Sequence, residues 1–150
     1  MSARLWSEVA QRSETSRRET QIERGRERVR RTAEVFTPTD LVIDLLQQLP
    51  IDSFGPGKKI LDPACGDGQF LAAIKFAKVL LWNQSEESAL ADLFGVDIVL
   101  ENVLLCRKRL GGGTIVVGDA LNPDRVVDGQ TDADRAKLHQ LLGAERLTLF

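Results

Sequence analysis

The 150-residue chain has no tyrosine, one histidine and two cysteines, and aromatic residues make up only 5% of it. His139, Cys65 and Cys106 fall short of the four ligands of a structural zinc site, so no metal is expected. Two cysteines give no disulfide framework, and reduced thiols in a cytoplasmic protein are the expected state. No apolar run approaches the ~20 residues of a membrane span, and Met1-Ser2-Ala3-Arg4-Leu5-Trp6 lacks the apolar core of a signal peptide. Neither sign of charge dominates: 20 Lys and Arg face 22 Asp and Glu. The length suits one domain that buries roughly 70% of its unfolded surface.

The charge is unevenly placed. Residues 1–34 hold nine Arg against six acids, and the remainder is net negative. This segment reads as a separate polar helical arm, running from Leu5 to Ala33 and interrupted at Gly25, with apolar residues too sparse for a deep core position. Glu8–Arg12, Glu14–Arg18 and Glu27–Arg31 are helical pairs in the favourable order. A peripheral solvated helix and a basic arm that touches nucleic acid or a partner are both open readings.

Residues 35–150 alternate between helical and strand patterns. Thr37 is expected to cap a helix that begins at Pro38, with Asp40 at its positive end. Leu41, Val42, Leu45, Leu46 and Leu49 form its apolar stripe, and Pro50 stops it. Strands are expected at Lys59–Asp62, Leu93–Asp97 and Thr114–Val117, with the opening of a fourth at Leu147–Phe150. Helices are expected over Gln69–Leu81, within 83–91, across Leu100–Leu110 up to the Gly111-Gly112-Gly113 stop, and after Asp132 as far as Gly143. Asn122–Gln130 reads as a loop. Alternating strands and helices imply a parallel sheet with right-handed crossovers.

The most informative segment is Ile60-Leu61-Asp62-Pro63-Ala64-Cys65-Gly66-Asp67-Gly68-Gln69-Phe70-Leu71. An apolar strand runs into an acid, a glycine turn and a helix. A phosphate-binding loop offers amides and usually a lysine to an anion. Here Asp62 and Asp67 favour a cationic ligand, while Gly66 and Gly68 let a flat ligand approach the backbone. S-adenosylmethionine, with its ammonium and sulfonium, fits this chemistry. The strands end in Asp62, Asp97 and Asp119, and parallel sheets bind ligands at the carboxyl ends of their strands. Asp97 is suited to the ribose hydroxyls, Asp119 to the exocyclic amine of an adenine, and Asp62 with the Ala64–Gly68 backbone to the methionine end. Cys65 reads as a small packed residue rather than a nucleophile, and His139 as a surface residue.

Asp62-Pro63-Ala64-Cys65-Gly66-Asp67-Gly68-Gln69-Phe70-Leu71 closely resembles the cofactor loop, D-P-A-C-G-x-G-x-F-L, of amino-methylating DNA methyltransferases. It is most similar to the adenine-N6 type of restriction–modification systems and phages. Phe36-Thr37-Pro38 is similar to the family's F-T-P element, which implies packing over the methionine carboxylate. Gly95-Val96-Asp97 and Gly118-Asp119-Ala120-Leu121 resemble its second and third cofactor motifs, and by that similarity Ile98 and Leu121 sandwich the cofactor adenine. The resemblance covers roughly Val35 to Leu121. It implies an α/β, Rossmann-like methyltransferase fold with a partial parallel sheet flanked by helices.

The family's catalytic tetrapeptide, D/N/S-P-P-Y/F after the fourth strand, does not occur; Asn122-Pro123-Asp124 supplies only its start. No catalytic residue is therefore assigned. Three readings follow: the S-adenosylmethionine-binding portion of a DNA adenine-N6 methyltransferase completed from elsewhere, a catalytically inactive cofactor- or partner-binding module, or a methyltransferase for a small molecule or protein. A sheet of three or four strands also leaves an edge and helix faces open, so a homo- or hetero-oligomer is expected.

Overall fold

A computed structural model describes residues 2–24, 37–143 and 148–149, with the side chains of residues 2, 22–24 and 148–149 left aside. Its elements, in chain order, are helix α1 (Ser2–Arg24), helix α2 (Thr39–Gln47), a 3-10 turn at Ile51–Phe54, strand β1 (Ile60–Asp62), helix α3 (Gln69–Trp82), helix α4 (Glu86–Ala91), strand β2 (Leu93–Asp97), helix α5 (Leu100–Leu110), strand β3 (Thr114–Val117), helix α6 (Asp132–Leu142) and strand β4 (Thr148–Leu149). All strand pairs are parallel, in the order β3-β2-β1-β4. The chain winds outward from β1 to β3, then returns to the other side of β1. The expected fold is therefore present.

One face of the sheet carries the larger core, built from Ile60, Leu93, Ile115 and Val117 against Leu71 and Ile74 of α3, Val103 and Leu110 of α5, and Val42 and Leu46 of α2. The other face is smaller: Leu61, Val96 and Val116 pack under Leu138 and Leu141 of α6. Arg107 joins the two helix layers around β3, the outer strand of the sheet. It donates from α5 to the Ile115 carbonyl at 2.6 Å and to Asp134 of α6 at 3.3 Å. Among the described residues no helix is long and apolar enough to cross a membrane.

The segments differ from expectation where small polar residues decide the packing. α1 does reach the core. Val9 is fully buried, with Trp6 before it and Ser13 and Thr20 after it at heptad-like spacing. The hydroxyls pack because each returns a hydrogen bond to its own helix, Ser13 to the Val9 carbonyl and Thr20 to that of Ser16. Trp6 meets Phe54 edge to face, with ring centres 5.6 Å apart. The Glu8–Arg12 and Glu14–Arg18 pairs form, and Glu14 also holds Arg17. The expected continuation through Gly25 to Ala33, with Glu27–Arg31, lies outside the described residues.

α2 begins one residue later than expected. Pro38, in extended backbone, is its N-cap and makes no side-chain cap bond. The buried face is Thr39, Val42, Ile43 and Leu46, which leaves Leu41 and Leu45 exposed. At α6 the cap is Thr131, not Asp132: its hydroxyl accepts from the Asp134 amide, and the Asp134 carboxylate accepts from the Thr131 amide.

A buried ion pair ties the base of the sheet together. Lys78 Nζ, from α3, lies 3.0 Å from Asp92 Oδ2 and 2.9 Å from the Gly55 carbonyl, and its side chain is 0% exposed. Asp92 also accepts from the Gly57 amide. Lys78→Ala would leave Asp92 buried without its cation, a change that costs about 3–5 kcal/mol. A correspondingly lower urea midpoint is expected, with partial recovery in Lys78→Met, Asp92→Asn. An unchanged midpoint in Lys78→Ala would show that the pair is not needed.

Candidate cofactor site

The strand order reverses between β1 and β4, and open parallel sheets bind ligands at such a reversal. The turn after β1 lies at this edge. The Cys65 amide donates to the Val96 carbonyl at 2.8 Å and so carries the β1–β2 pairing past the end of β1. Gly66 and Gly68 then take positive φ, 57° and 100°, a conformation that costs side-chain-bearing residues 1–3 kcal/mol, roughly. From the end of β2, Asp97 Oδ2 accepts the Gly66 amide at 2.9 Å. Asp97 Oδ1 accepts the Val99 amide and Asn102 Nδ2. Asp62 Oδ1 accepts the Ala64 amide at 3.1 Å.

Asp62, Asp67, Asp92 and Asp134 are the buried aspartates of the described residues. Asp67 pairs with Arg109, Asp92 with Lys78 and Asp134 with Arg107. Asp62, 5% exposed, has no cation among the described residues. Burial raises its pKa from 3.8 to about 6; the Ala64 amide opposes the rise and Asp97 adds to it. The site thus holds a desolvated carboxyl group beside a second acid, an arrangement that favours a cationic ligand group.

Asp67 does not share this role, contrary to expectation. The two left-handed glycines turn its side chain away from Asp62, into the helix layer. There it is 1% exposed and 3.5 Å from the buried guanidinium of Arg109. Cys65 is buried as well, and its thiol is raised well above its ordinary value, first by the hydrogen bond with Cys106 and then by burial. That is the inert thiol expected of a packing residue. Gly95 makes room for it. A Cβ there would lie 2.9 Å from Leu71 Cδ1 and 3.0 Å from Cys65 Sγ.

Other predicted site residues are distributed around this edge. Pro63, Gly66, Asp97 and Thr37 are half-buried, and Ala64 and Pro38 are exposed. Phe70 is half-buried against the large core. Ile98 and Leu121 are 43% and 98% exposed, large apolar side chains without cover at the ends of β2 and β3. Asp119 accepts from the Leu121 and Asn122 amides and from Arg125, with half-buried Ala120 beside it. Burial raises the Asp119 pKa, but the Leu121 amide, Arg125 and the Asn122 amide outweigh this and hold it below its ordinary value. Phe36 lies outside the described residues. His139 reaches Asp124 at 3.5 Å, away from the loop.

Sequence reasoning missed two residues that shape the site. Asn102 is buried and braces Asp97; its signal was a polar residue on the Val103–Cys106–Leu110 face of α5. Arg109 is the other, and nothing in its spacing marks it as buried.

The chain is thus an α/β domain with a glycine turn and strand-end acids at a reversal of strand order, the place where open parallel sheets bind ligands. More narrowly, residues 23–111 match the family N-6 DNA Methylase, and the chain belongs to that family. The match takes in Thr37, the glycine turn and Asp97, and ends before Asp119. Comparison with curated proteins and with solved structures found no match.

Asp62 gives a signed pH dependence. Its folded pKa, about 6, is above its ordinary 3.8, so the folded chain holds the proton more tightly than the unfolded chain. The Asp62 contribution to stability should be fully present below about pH 4 and lost as pH rises through about 6. Urea midpoints measured from pH 4 to 7 should therefore fall more steeply in the wild type than in Asp62→Asn. Parallel curves would refute the raised value.

Proposed function

We propose that this chain is the S-adenosylmethionine-binding portion of a DNA adenine-N6 methyltransferase. The observation that carries this reading is Asp62, a buried carboxyl group with no cation among the described residues, at the reversal of strand order. The sulfonium and ammonium of S-adenosylmethionine are cations of the required kind, and when bound this cofactor supplies an electrophilic methyl group. Asp62 and the Ala64–Gly68 backbone hold its methionine end, with Thr37 and Pro38 beside them and Phe36 expected there. Asp97 has one lone pair left on Oδ2, counted over the described residues, for a ribose hydroxyl. Ile98 and Leu121 offer apolar surface for an adenine ring, with Asp119 and Ala120 at its edge.

Transfer to the exocyclic amine of adenine needs the N-P-P-F/Y element that residues 1–150 lack. Leu149 of β4 pairs beside Leu61 of β1, so chain continuing from β4 emerges at the edge that carries Asp62. In this reading the catalytic element would have to be placed at this edge, whichever chain supplies it. The chain's own part is to bind and orient. The inactive-module reading has one observation in its favour: Asp97 and Asp119 already spend most of their lone pairs within the protein, Asp97 on Gly66, Val99 and Asn102 and Asp119 on its own loop.

Calorimetric titration with S-adenosylmethionine separates the two readings. The wild type should bind, Asp62→Ala should lose binding, and Asp97→Ala should weaken it by about 1–3 kcal/mol through lost hydrogen bonds to an ionised acceptor. A folded wild-type chain that binds no S-adenosylmethionine would leave the glycine turn as scaffold alone.

DNA is the substrate implied by the family, and contact through the arm would rest on Arg24, Arg26, Arg28 and Arg30. Their joint reversal to Glu should weaken DNA binding and flatten its salt dependence. Unchanged binding would remove the arm from DNA contact. Association with another chain remains part of this reading, and exposed Leu41 and Leu45 of α2 offer apolar surface for it.

A further inference from the structure

We infer that one turn of α1, residues 13–16, is a working part of the cofactor site, because it holds together two halves of the cradle that are far apart in sequence. The inference rests on the cofactor reading above. One half is the Thr37–Thr39 segment that opens α2. The Thr39 hydroxyl donates to Glu14 Oε2 at 2.6 Å, across 25 residues of sequence. The other half is the glycine turn. Arg109 Nη1 reaches Asp67 in that turn at 3.5 Å, while Nε donates to Ser16 Oγ at 2.6 Å and Nη2 to the Ser13 carbonyl at 3.2 Å. Glu14 thus fixes one half and Ser13 and Ser16 the other, on adjacent positions of a single helix.

The chemistry suits a permanent clamp. Arg17, then the Thr39 hydroxyl, lower the Glu14 pKa to about 2, so the acceptor for Thr39 stays ionised at every physiological pH. Arg109 serves acceptors on two elements at once, which its planar fork of five donors allows and a lysine ammonium does not match. Its side chain is 1% exposed and that of Asp67 is 2%, so neither can exchange its partner for water without moving the helix. Asp67 lies between the two left-handed glycines, and fixing it fixes the Gly66 and Gly68 amides that line the turn. Glu14, Thr39 and Arg109 are accordingly positioning residues: each is assigned an effect on the cofactor through the segment it holds, not by contact.

Arg109→Ala would strand Asp67 in the interior and risks unfolding, so Arg109→Lys, Glu14→Gln and Thr39→Val are the informative variants. Glu8→Gln, which loses only its exposed pair with Arg12 on the same helix, is the control. Each is followed by calorimetry with S-adenosylmethionine and by amide hydrogen exchange at Gly66 and Gly68, at a temperature where all are fully folded. The three variants should bind about three- to thirtyfold more weakly than wild type, a span typical of indirect coupling. Exchange at the glycine amides should quicken, and the control should match wild type in both. A purely structural role would lower melting temperatures and leave affinity unchanged. Wild-type affinity in all three variants would overturn the inference. A wild-type chain that binds no cofactor would instead overturn the cofactor reading. In that case faster exchange in the three variants would still uphold the clamp, and unchanged exchange would reject it.

Discussion

The Asp97 carboxylate holds the turn after β1 against the end of β2 through its 2.9 Å bond from the Gly66 amide, and the rest of the site is arranged around that contact. It requires a left-handed glycine at 66, because the amide must point sideways at the neighbouring strand. It requires space at Gly95, where Cys65 fills the volume a Cβ would take. It also sets two carboxylates, Asp62 and Asp97, at one end of a parallel sheet. The fold compensates only one of them well. Asp97 receives three hydrogen bonds from N–H groups, whereas Asp62 has the Ala64 amide and little water.

The treatment of buried acid elsewhere in the domain sharpens this contrast. Asp67, Asp92 and Asp134 are each given a cation from a neighbouring helix. Cations are therefore within this fold's reach wherever an acid serves packing alone. Asp62 has no such cation among the described residues, and burial, with Asp97 beside it, raises its pKa to about 6. A structural acid at that position would gain from a Lys or Arg on α2 or α3. The Ala64 amide donates to it, and Asp97 lies close enough to raise its pKa further.

Much of this was legible in the chain. β2 and β3 have the limits their residues imply, because Leu93–Asp97 and Thr114–Val117 are short apolar runs closed by an acid or a glycine. Asp62 and Asp97 end their strands, as the sequence implies. What was hidden depended on direction or on polarity. Sequence cannot say to which side of a glycine pair the intervening residue points, so it groups Asp67 with Asp62 although Asp67 faces Arg109. In α1 the inward positions are Ser13, Ser16 and Thr20, which count as polar in any hydrophobic pattern and so give no hydrophobic sign of a core position. Their spacing with Trp6 and Val9 was the available signal. Leu41 and Leu45 misled in the opposite sense: they are apolar yet exposed, and Ile43 takes their place in the core.

A polar α1 has a consequence that an apolar one would lack. Leucines at 13, 16 and 20 would bury more apolar surface, at about 25 cal/mol per Å². They would take the Ser16 hydroxyl from Arg109 Nε, however, and leave that buried donor unmet, with the backbone carbonyl at position 13 and Asp67 still accepting from the other nitrogens. Small hydroxyl residues let the helix approach closely, satisfy themselves within it and still present Ser16 Oγ and the Ser13 carbonyl outward. The helix packs less strongly per residue but in a defined rotation and height. Rotation by one residue would move Ser16 away from Arg109 and Glu14 away from Thr39 together. The polar seam is thus a registry device, and the registry it sets is that of the glycine turn against the Thr37–Thr39 segment.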